Sequence, residues 1–279
     1  MNKERKNSGL ILVLFGAIAF SLGGLFVKLI PWKPISINAG RCIFSSMVIA
    51  AYMYLSGHKL KSNKTVIKGA LCVCAMLICY VASTKMTTAA NAIVLEYTAP
   101  IFIIILEALL FKKKPARLDV IVCITVLFGI YIVMTDGMGK GNLLGDIIAL
   151  LSGLFYAFTI MLNDFKDGDS LSSVLLGHIL TVVIGFYFIT TETDFSVKTL
   201  LLVAALGLFQ AGAGYTLLTV GLKNCEPLAG SLVASIEPVL NPILVALFYG
   251  EYMNLKTIIG SIIVIGSIII YNVLSLKRE

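Results

Sequence analysis

Apolar residues run along this chain in ten stretches of about twenty, separated by short polar turns. A bilayer's hydrocarbon core is about 30 Å thick and a helix rises about 1.5 Å per residue, so roughly 20 apolar residues cross it. The stretches are Gly9–Ile30, Ile35–Leu55, Thr65–Lys85, Ala90–Phe111, Leu118–Thr135, Leu143–Asn163, Leu171–Thr190, Thr199–Leu222, Leu228–Tyr249 and Leu255–Leu274. The longest polar stretches, Ser56–Lys64 and Asn163–Ser170, leave no room for a soluble domain. The pattern predicts an all-α integral membrane protein with ten transmembrane helices.

Composition agrees with the pattern: 58% of residues are hydrophobic and 13% charged. One or two soluble cores could not hide that much apolar surface. The net charge of +7 would suit nucleic acid, but its distribution argues against that partner. With the N-terminus inside, fifteen Lys and Arg fall on the inner side: Lys3, Arg5, Lys6, Lys59, Lys61, Lys64, Lys68, Lys112, Lys113, Lys114, Arg117, Lys166, Lys223, Lys277 and Arg278. Six fall outside: Lys28, Lys33, Lys85, Lys140, Lys198 and Lys256. This positive-inside bias places both termini in the cytoplasm of a multi-pass protein of the cell membrane. The basic N-terminus precedes an apolar run too long for a signal peptide, and Phe20–Leu22 offers no small-x-small cleavage site, so the segment reads as a retained first span. The cysteines (Cys42, Cys72, Cys74, Cys79, Cys123 and Cys225) lie in or beside apolar spans. They read as packed thiols; Cys72 and Cys74, two apart, point to different helix faces and make a poor metal pair.

The chain also repeats itself. A shift of 138 residues lays Pro100 on Pro238, Lys85 on Lys223, and Ile105-Leu106-Glu107-Ala108-Leu109 on Ile243-Leu244-Val245-Ala246-Leu247. A shift of 136 pairs Gly9 with Gly145 and Phe20 with Tyr156. Residues 1–138 and 139–279 then hold five spans each. Five is odd, so the second set enters the membrane from the opposite side, giving two five-helix inverted-topology repeats. Half-shells facing opposite ways suit a carrier that alternates its access.

Three segments carry a family resemblance. Thr87–Phe102, with Leu95-Glu96-Tyr97-Thr98-Ala99-Pro100 at its centre, resembles the fourth span of the EamA-type drug/metabolite transporters. Ile236-Glu237-Pro238-Val239-Leu240-Asn241-Pro242-Ile243, followed by Gly250-Glu251, is similar to their ninth, and Gly207–Gln210 with Ala213-Gly214-Tyr215 and Gly221-Leu222-Lys223 is similar to their eighth. The resemblance implies ten spans in two repeats. It implies movement of small metabolites, often amino acids and sometimes organic cations, through a central cavity. The family commonly has glutamine before the tyrosine; here that position is Glu96, which puts a potential charge where the family has an amide.

Ionisable groups inside a span are costly and so face a cavity or a partner. Arg41 and Glu96 stand at similar depth in the second and fourth spans. Together they suit a zwitterion: the guanidinium for a carboxylate, the carboxylate for an ammonium. Alternatively they pair with each other and pin the two spans. Glu237 lies near the midplane beside Pro238 and the further break at Pro242; Pro100 repeats the device after Glu96. Glu96 and Glu237 are therefore candidates for proton coupling as well as binding, with a structural role for Glu237 the alternative. Tyr80, Asn91, Tyr97, Tyr156, Gln210, Tyr215 and Asn241 are candidates to shape the pocket. Glu107 reads as snorkelling toward Lys112–Lys114, His178 as a satisfied neutral ring, and Lys85 as an interfacial or rim lysine.

No His-x-x-x-His, Gly-x-Ser-x-Gly, acidic metal set or nucleotide loop is present, so neither an enzyme nor a primary pump is expected, and no cofactor or metal. The expected function is a secondary transporter of small polar metabolites, amino acids first, with a proton as possible coupling ion and a monomer as the functional unit. The alternative is a carrier of cationic amines or quaternary ammonium compounds selected by the intramembrane glutamates.

Overall fold

A computed structural model describes residues 3–110, 112, 114, 116–138, 143–163, 165–223, 233–234, 236–251 and 253–276. Phe111, Lys113, Lys140, Cys225, the expected start of the ninth span at Leu228, Lys277 and Arg278 lie outside the described residues. The helices are α1 Lys3–Leu29, α2 Pro34–Ser56, α3 Lys64–Met86, α4 Ala89–Glu96, α5 Ala99–Leu110, α6 Arg117–Met138 and α7 Leu143–Ile160, which ends in a 3₁₀ turn, Met161–Asn163. Then come α8 Ser170–Ile189, α9 Val197–Ala205, a π-helical segment Leu206–Ala213, α10 Gly214–Lys223, α11 Glu237–Tyr249 and α12 Leu255–Leu276. Among the described residues six stretches are long and apolar enough to cross a membrane: Ser8–Leu29, Pro34–Ser56, Lys64–Met86, Ala89–Leu110, Ser170–Ile189 and Val197–Leu218. Leu143–Thr159, Glu237–Tyr249 and Leu255–Tyr271 are shorter apolar helices.

Local chemistry sets the helix starts. Asn63 caps α3 by accepting the Val66 N–H at 2.9 Å, and Thr88 caps α4 by accepting that of Asn91 at 3.1 Å. Asp169 caps α8 through the Ser172 N–H at 2.8 Å, and Ser196 caps α9 through that of Thr199 at 3.3 Å. Pro34 opens α2, where its missing N–H leaves no bond unmade, and Gly57 ends it at φ +68°.

The expected fourth span is two helices, α4 and α5, with a break at Tyr97–Thr98. Pro100 is the second residue of α5, and Pro238 stands in the first turn of α11. Both prolines therefore begin helices instead of interrupting them, because a first turn needs no donor from that residue. Pro242 is the one of the three inside a helix.

The most extensive packing joins α3 with α7 and α8, α2 with α8 and the π segment, α1 with α10 and α11, α4 with α7, and α6 with α12. Apolar side chains such as Phe15, Ile124, Val183 and Leu247 point away from the bundle, as a lipid-facing surface requires.

Candidate functional site

Three breaks in helical regularity meet at the centre of the bundle. Glu96 is the last residue of α4, Glu237 the first of α11, and Gln210 lies on the π segment. Interrupted or widened helices at membrane depth are tolerated where they line a cavity. Here the cavity is walled by Phe20, Arg41, Met76, Leu77, Tyr80, Glu96, Tyr97, Tyr156, Gln210, Tyr215 and Glu237. Its free volume is about 40 Å³. That is room for roughly three waters, so in this conformation the walls have closed on the space.

Each charged side chain is tied to a neutral one. Arg41, 1% exposed, donates from Nε to Asn38 Oδ1 at 2.9 Å and from Nη1 to Gln210 Oε1 at 3.2 Å. Its carbon Cζ lies 5.8 Å from the centre of the Tyr80 ring, and its buried Nη2 has no partner among the described residues. Glu96 Oε1 accepts from the Ser152 hydroxyl at 2.6 Å, and Glu237 Oε2 accepts from the Tyr97 hydroxyl at 2.6 Å. Arg41 and Glu96 form no ion pair in this arrangement: Arg41 is held by Asn38 and Gln210, and Glu96 by Ser152. Gly153 lets α7 lie against the α4–α5 break: a Cβ there would stand 2.9 Å from the Glu96 carbonyl oxygen. The tyrosines pack in ring contacts, Tyr97 with Tyr156 at 6.4 Å and Phe20 with Tyr215 at 4.9 Å between centroids.

Eight of the ten expected binding residues line this cavity: Arg41, Tyr80, Glu96, Tyr97, Tyr156, Gln210, Tyr215 and Glu237. Asn91 does not. Its Nδ2 donates to Asp146 Oδ1 at 3.2 Å and its Oδ1 accepts from Thr257 at 3.0 Å, in a separate buried cluster. Asn241 does not either; it is fully buried against Gly24 with the Tyr80 hydroxyl as its polar neighbour, and neither amide atom reaches hydrogen-bonding geometry. His178 donates from Nδ1 to the Val174 carbonyl at 2.7 Å and meets Tyr215 edge-on at 5.5 Å, so it backs the wall. Sequence reasoning missed Phe20, Met76 and Leu77, which are ordinary apolar residues in apolar spans. It also missed Asn38 and Ser152, the partners of Arg41 and Glu96. The spacing of Asn38 one turn before Arg41 was the available signal.

Polar contacts tie helices together at both ends of the bundle. At one end Lys28 pairs with Glu251 at 2.8 Å and donates to the Thr87 carbonyl at 2.9 Å, while Glu251 Oε1 accepts the Ala89 N–H, at the start of α4, at 2.6 Å. Buried Asp146 accepts from the Thr87 hydroxyl at 2.7 Å beside them. Lys85 donates to the Ile30 carbonyl at 2.6 Å, which makes it a tie between α3 and the turn after α1. At the other end Asp169 receives His58 at 3.1 Å and Lys61 at 3.7 Å. Burial pushes the Asp169 carboxyl up, but hydrogen bonds from Ser172 and the His58 ring outweigh it and hold the group below its usual range.

Comparisons with known proteins agree with this architecture. The chain is 25% identical to "Solute carrier family 35 member G1" of Homo sapiens over 93% of its length and 77% of that protein's. It is 23% identical to the "Uncharacterized inner membrane transporter YicL" of Salmonella typhimurium over 100% of this chain and 99% of that one. A crystal structure of 16% sequence identity superposes with a TM-score of 0.69, covering 98% of this chain and 100% of the other, which shows the shared fold. The model of the EamA-like transporter family matches twice, over residues 7–135 and 143–273. With an all-helical membrane fold and that match along nearly its whole length, the chain belongs to the EamA-like transporter family and is a multi-pass membrane transporter.

Proposed function

We propose that the protein is a secondary carrier of small zwitterionic metabolites, amino acids foremost. The observation that carries this reading is the unpartnered, buried Nη2 of Arg41 in a cavity that also holds Glu96 and Glu237. A guanidinium with one free donor edge takes a carboxylate; either glutamate takes an ammonium. The rings of Phe20, Tyr80, Tyr97, Tyr156 and Tyr215, with Met76 and Leu77, suit an apolar or aromatic body between the two charges. Glu96 and Glu237 are the proton-coupling groups: each leans on a neutral hydroxyl, so protonating either breaks no ion pair.

Transport proceeds by alternating access between residues 1–138 and 139–279 acting as two inverted half-shells of a monomer. Three observations support this. The family match occurs once in each stretch. Among the most extensive packing pairs, exchanging each of the first five spans with its counterpart five places on returns the same set. Lys112 and Gly250, 138 positions apart, follow α5 and α11 with φ of 54° and 77°. The positive-inside bias puts both termini in the cytoplasm of the cell membrane, and so puts the Lys28–Glu251 end outside.

A cationic amine is the second reading, favoured by two carboxylates to one guanidinium among the ring-lined walls. A thermal-shift screen of the purified protein decides between them, since a ligand of the folded state raises its melting temperature. Stabilisation by amino acids and not by their decarboxylated amines is expected. Stabilisation by amines alone refutes the zwitterion and leaves Glu96 as selector.

A further inference from the structure

A second cavity shares no wall with the first. Helices α3 and α5 both pack along α7 without forming a packed pair with each other, and an apolar groove opens between them. About 620 Å³ of it admits the centre of a water-sized sphere, within the roughly 300–1,000 Å³ of small-molecule sites. Gly69, Cys72, Phe158 and Leu162 form its floor, and the ammonium-bearing Lys68 and Lys166 stand at its rim. Leu162 fills the space a Cβ on Gly69 would need, so the backbone of α3 is itself part of the floor. Among the described lining residues there is no carboxylate.

The depth of the groove matters. Its wall on α3 runs from Thr65 to Cys72, about 10 Å along the helix axis, starting at the polar end near Asn63. It therefore passes from the headgroup level into the hydrocarbon. Both rim lysines are exposed, and the Thr65 hydroxyl, donating to the Lys166 carbonyl at 3.1 Å, fixes the Lys166 turn against α3.

We propose that this groove binds an anionic phospholipid, with its phosphate between Lys68 and Lys166 and an acyl chain laid along Cys72 and Phe158. An acyl chain gains no hydrophobic free energy by leaving bulk lipid for an apolar wall, so selection rests on the two ammonium groups. Each lysine beside an anionic headgroup is worth about fivefold in affinity, which makes a preference of roughly 25-fold over a zwitterionic lipid. Among the described lining residues a polar metabolite finds no polar wall beyond the rim, which separates this site from the Arg41 cavity.

The test is native mass spectrometry, with melting curves, of the full chain in neutral detergent against phosphatidylglycerol and phosphatidylcholine. One phosphatidylglycerol should be retained preferentially and should raise the melting temperature. Lys68→Gln/Lys166→Gln should bring the two lipids to near parity, and Cys72→Trp should release both. Equal retention by the unaltered chain overturns the proposal without need of any variant. So does an undiminished preference in the double lysine variant, or equal stabilisation by inorganic phosphate alone.

Discussion

Glu251→Gln should loosen the Lys28–Glu251 end of the bundle by a measurable and bounded amount. Glu251 does two things at once: it pairs with Lys28 at 2.8 Å and accepts the Ala89 N–H at 2.6 Å. That N–H is one of the donors left over at the start of α4, so it needs a partner from outside its own helix. Glutamine keeps an oxygen for Ala89 and removes only the charge. The pair is mostly sheltered, with side chains 10% and 20% exposed, so its loss exceeds that of a surface ion pair. Charge-assisted bonds of this kind contribute about 1–2 kcal/mol beyond their neutral counterparts. The equilibrium for opening this end should therefore shift by about 5- to 30-fold. Hydrogen exchange over residues 87–93 reads it directly: the Ala89 amide should exchange faster in the variant by that factor, while amides of α8 stay unchanged. A double-mutant cycle with Lys28→Met should return most of the effect as coupling between the two side chains. Unchanged exchange at Ala89, or strictly additive effects of the two substitutions, would refute the reasoning.

Three further outcomes follow from the geometry. Arg41→Lys keeps the charge but cannot reach Asn38, Gln210 and a substrate carboxylate together, so zwitterion affinity measured by calorimetry should fall about 10- to 100-fold while the melting temperature of the empty protein changes little. Gly153→Val places side-chain atoms where the Glu96 and Leu95 carbonyl oxygens already stand at 2.9 and 3.0 Å from a Cβ, and should cost about 1–3 kcal/mol, read as a lowered melting temperature. Asp169→Asn keeps the cap on α8 and removes the charge that His58 and Lys61 share. Because the folded Asp169 carboxyl lies below its ordinary 3.8, its contribution is present above about pH 4 and is lost as pH falls through the depressed value. The unaltered chain should melt higher than the variant near neutrality, and the difference should vanish in acid; a constant difference would contradict it.

Much of this molecule was legible because lipid constrains sequence so strongly. Hydropathy located the spans, and charged or amide groups within them pointed at the cavity, since little else justifies their cost at that depth. What the pattern could not carry was direction around each helix. Asn91 belongs to an apolar-looking fourth span as much as Tyr97 does, yet it faces Asp146 and Thr257 instead of the cavity. The π segment was also invisible: Leu206–Ala213 has no composition to mark it, although its glycines allow close approach, Gly207 to Arg41 and Gly212 to Val48. The prolines were expected as helix breaks; Pro100 and Pro238 stand in first turns and Pro242 lies inside α11, because sequence does not say on which side of a proline the helix lies.

On the alternating-access reading proposed above, the bonds around the cavity would make binding and movement one event. Arg41 is held by Gln210, Glu96 by Ser152, and Glu237 by Tyr97. Each of these three contacts joins a residue before position 139 to one after it. The rocking of the two stretches proposed above would have to break some of them. They engage Arg41 Nη1, Glu96 Oε1 and Glu237 Oε2, which would otherwise stand desolvated and unpaired, while Arg41 Nη2 stays open. A ligand that offers a carboxylate to Arg41 and an ammonium to a glutamate replaces such contacts with bonds of its own. It thereby removes the cost of separating the stretches, and a ligand able to replace only one bond removes only part of that cost. Selectivity in such a carrier lies in the motion as much as in affinity: a simple amine could bind at Glu237 and still leave Arg41 tied to Gln210.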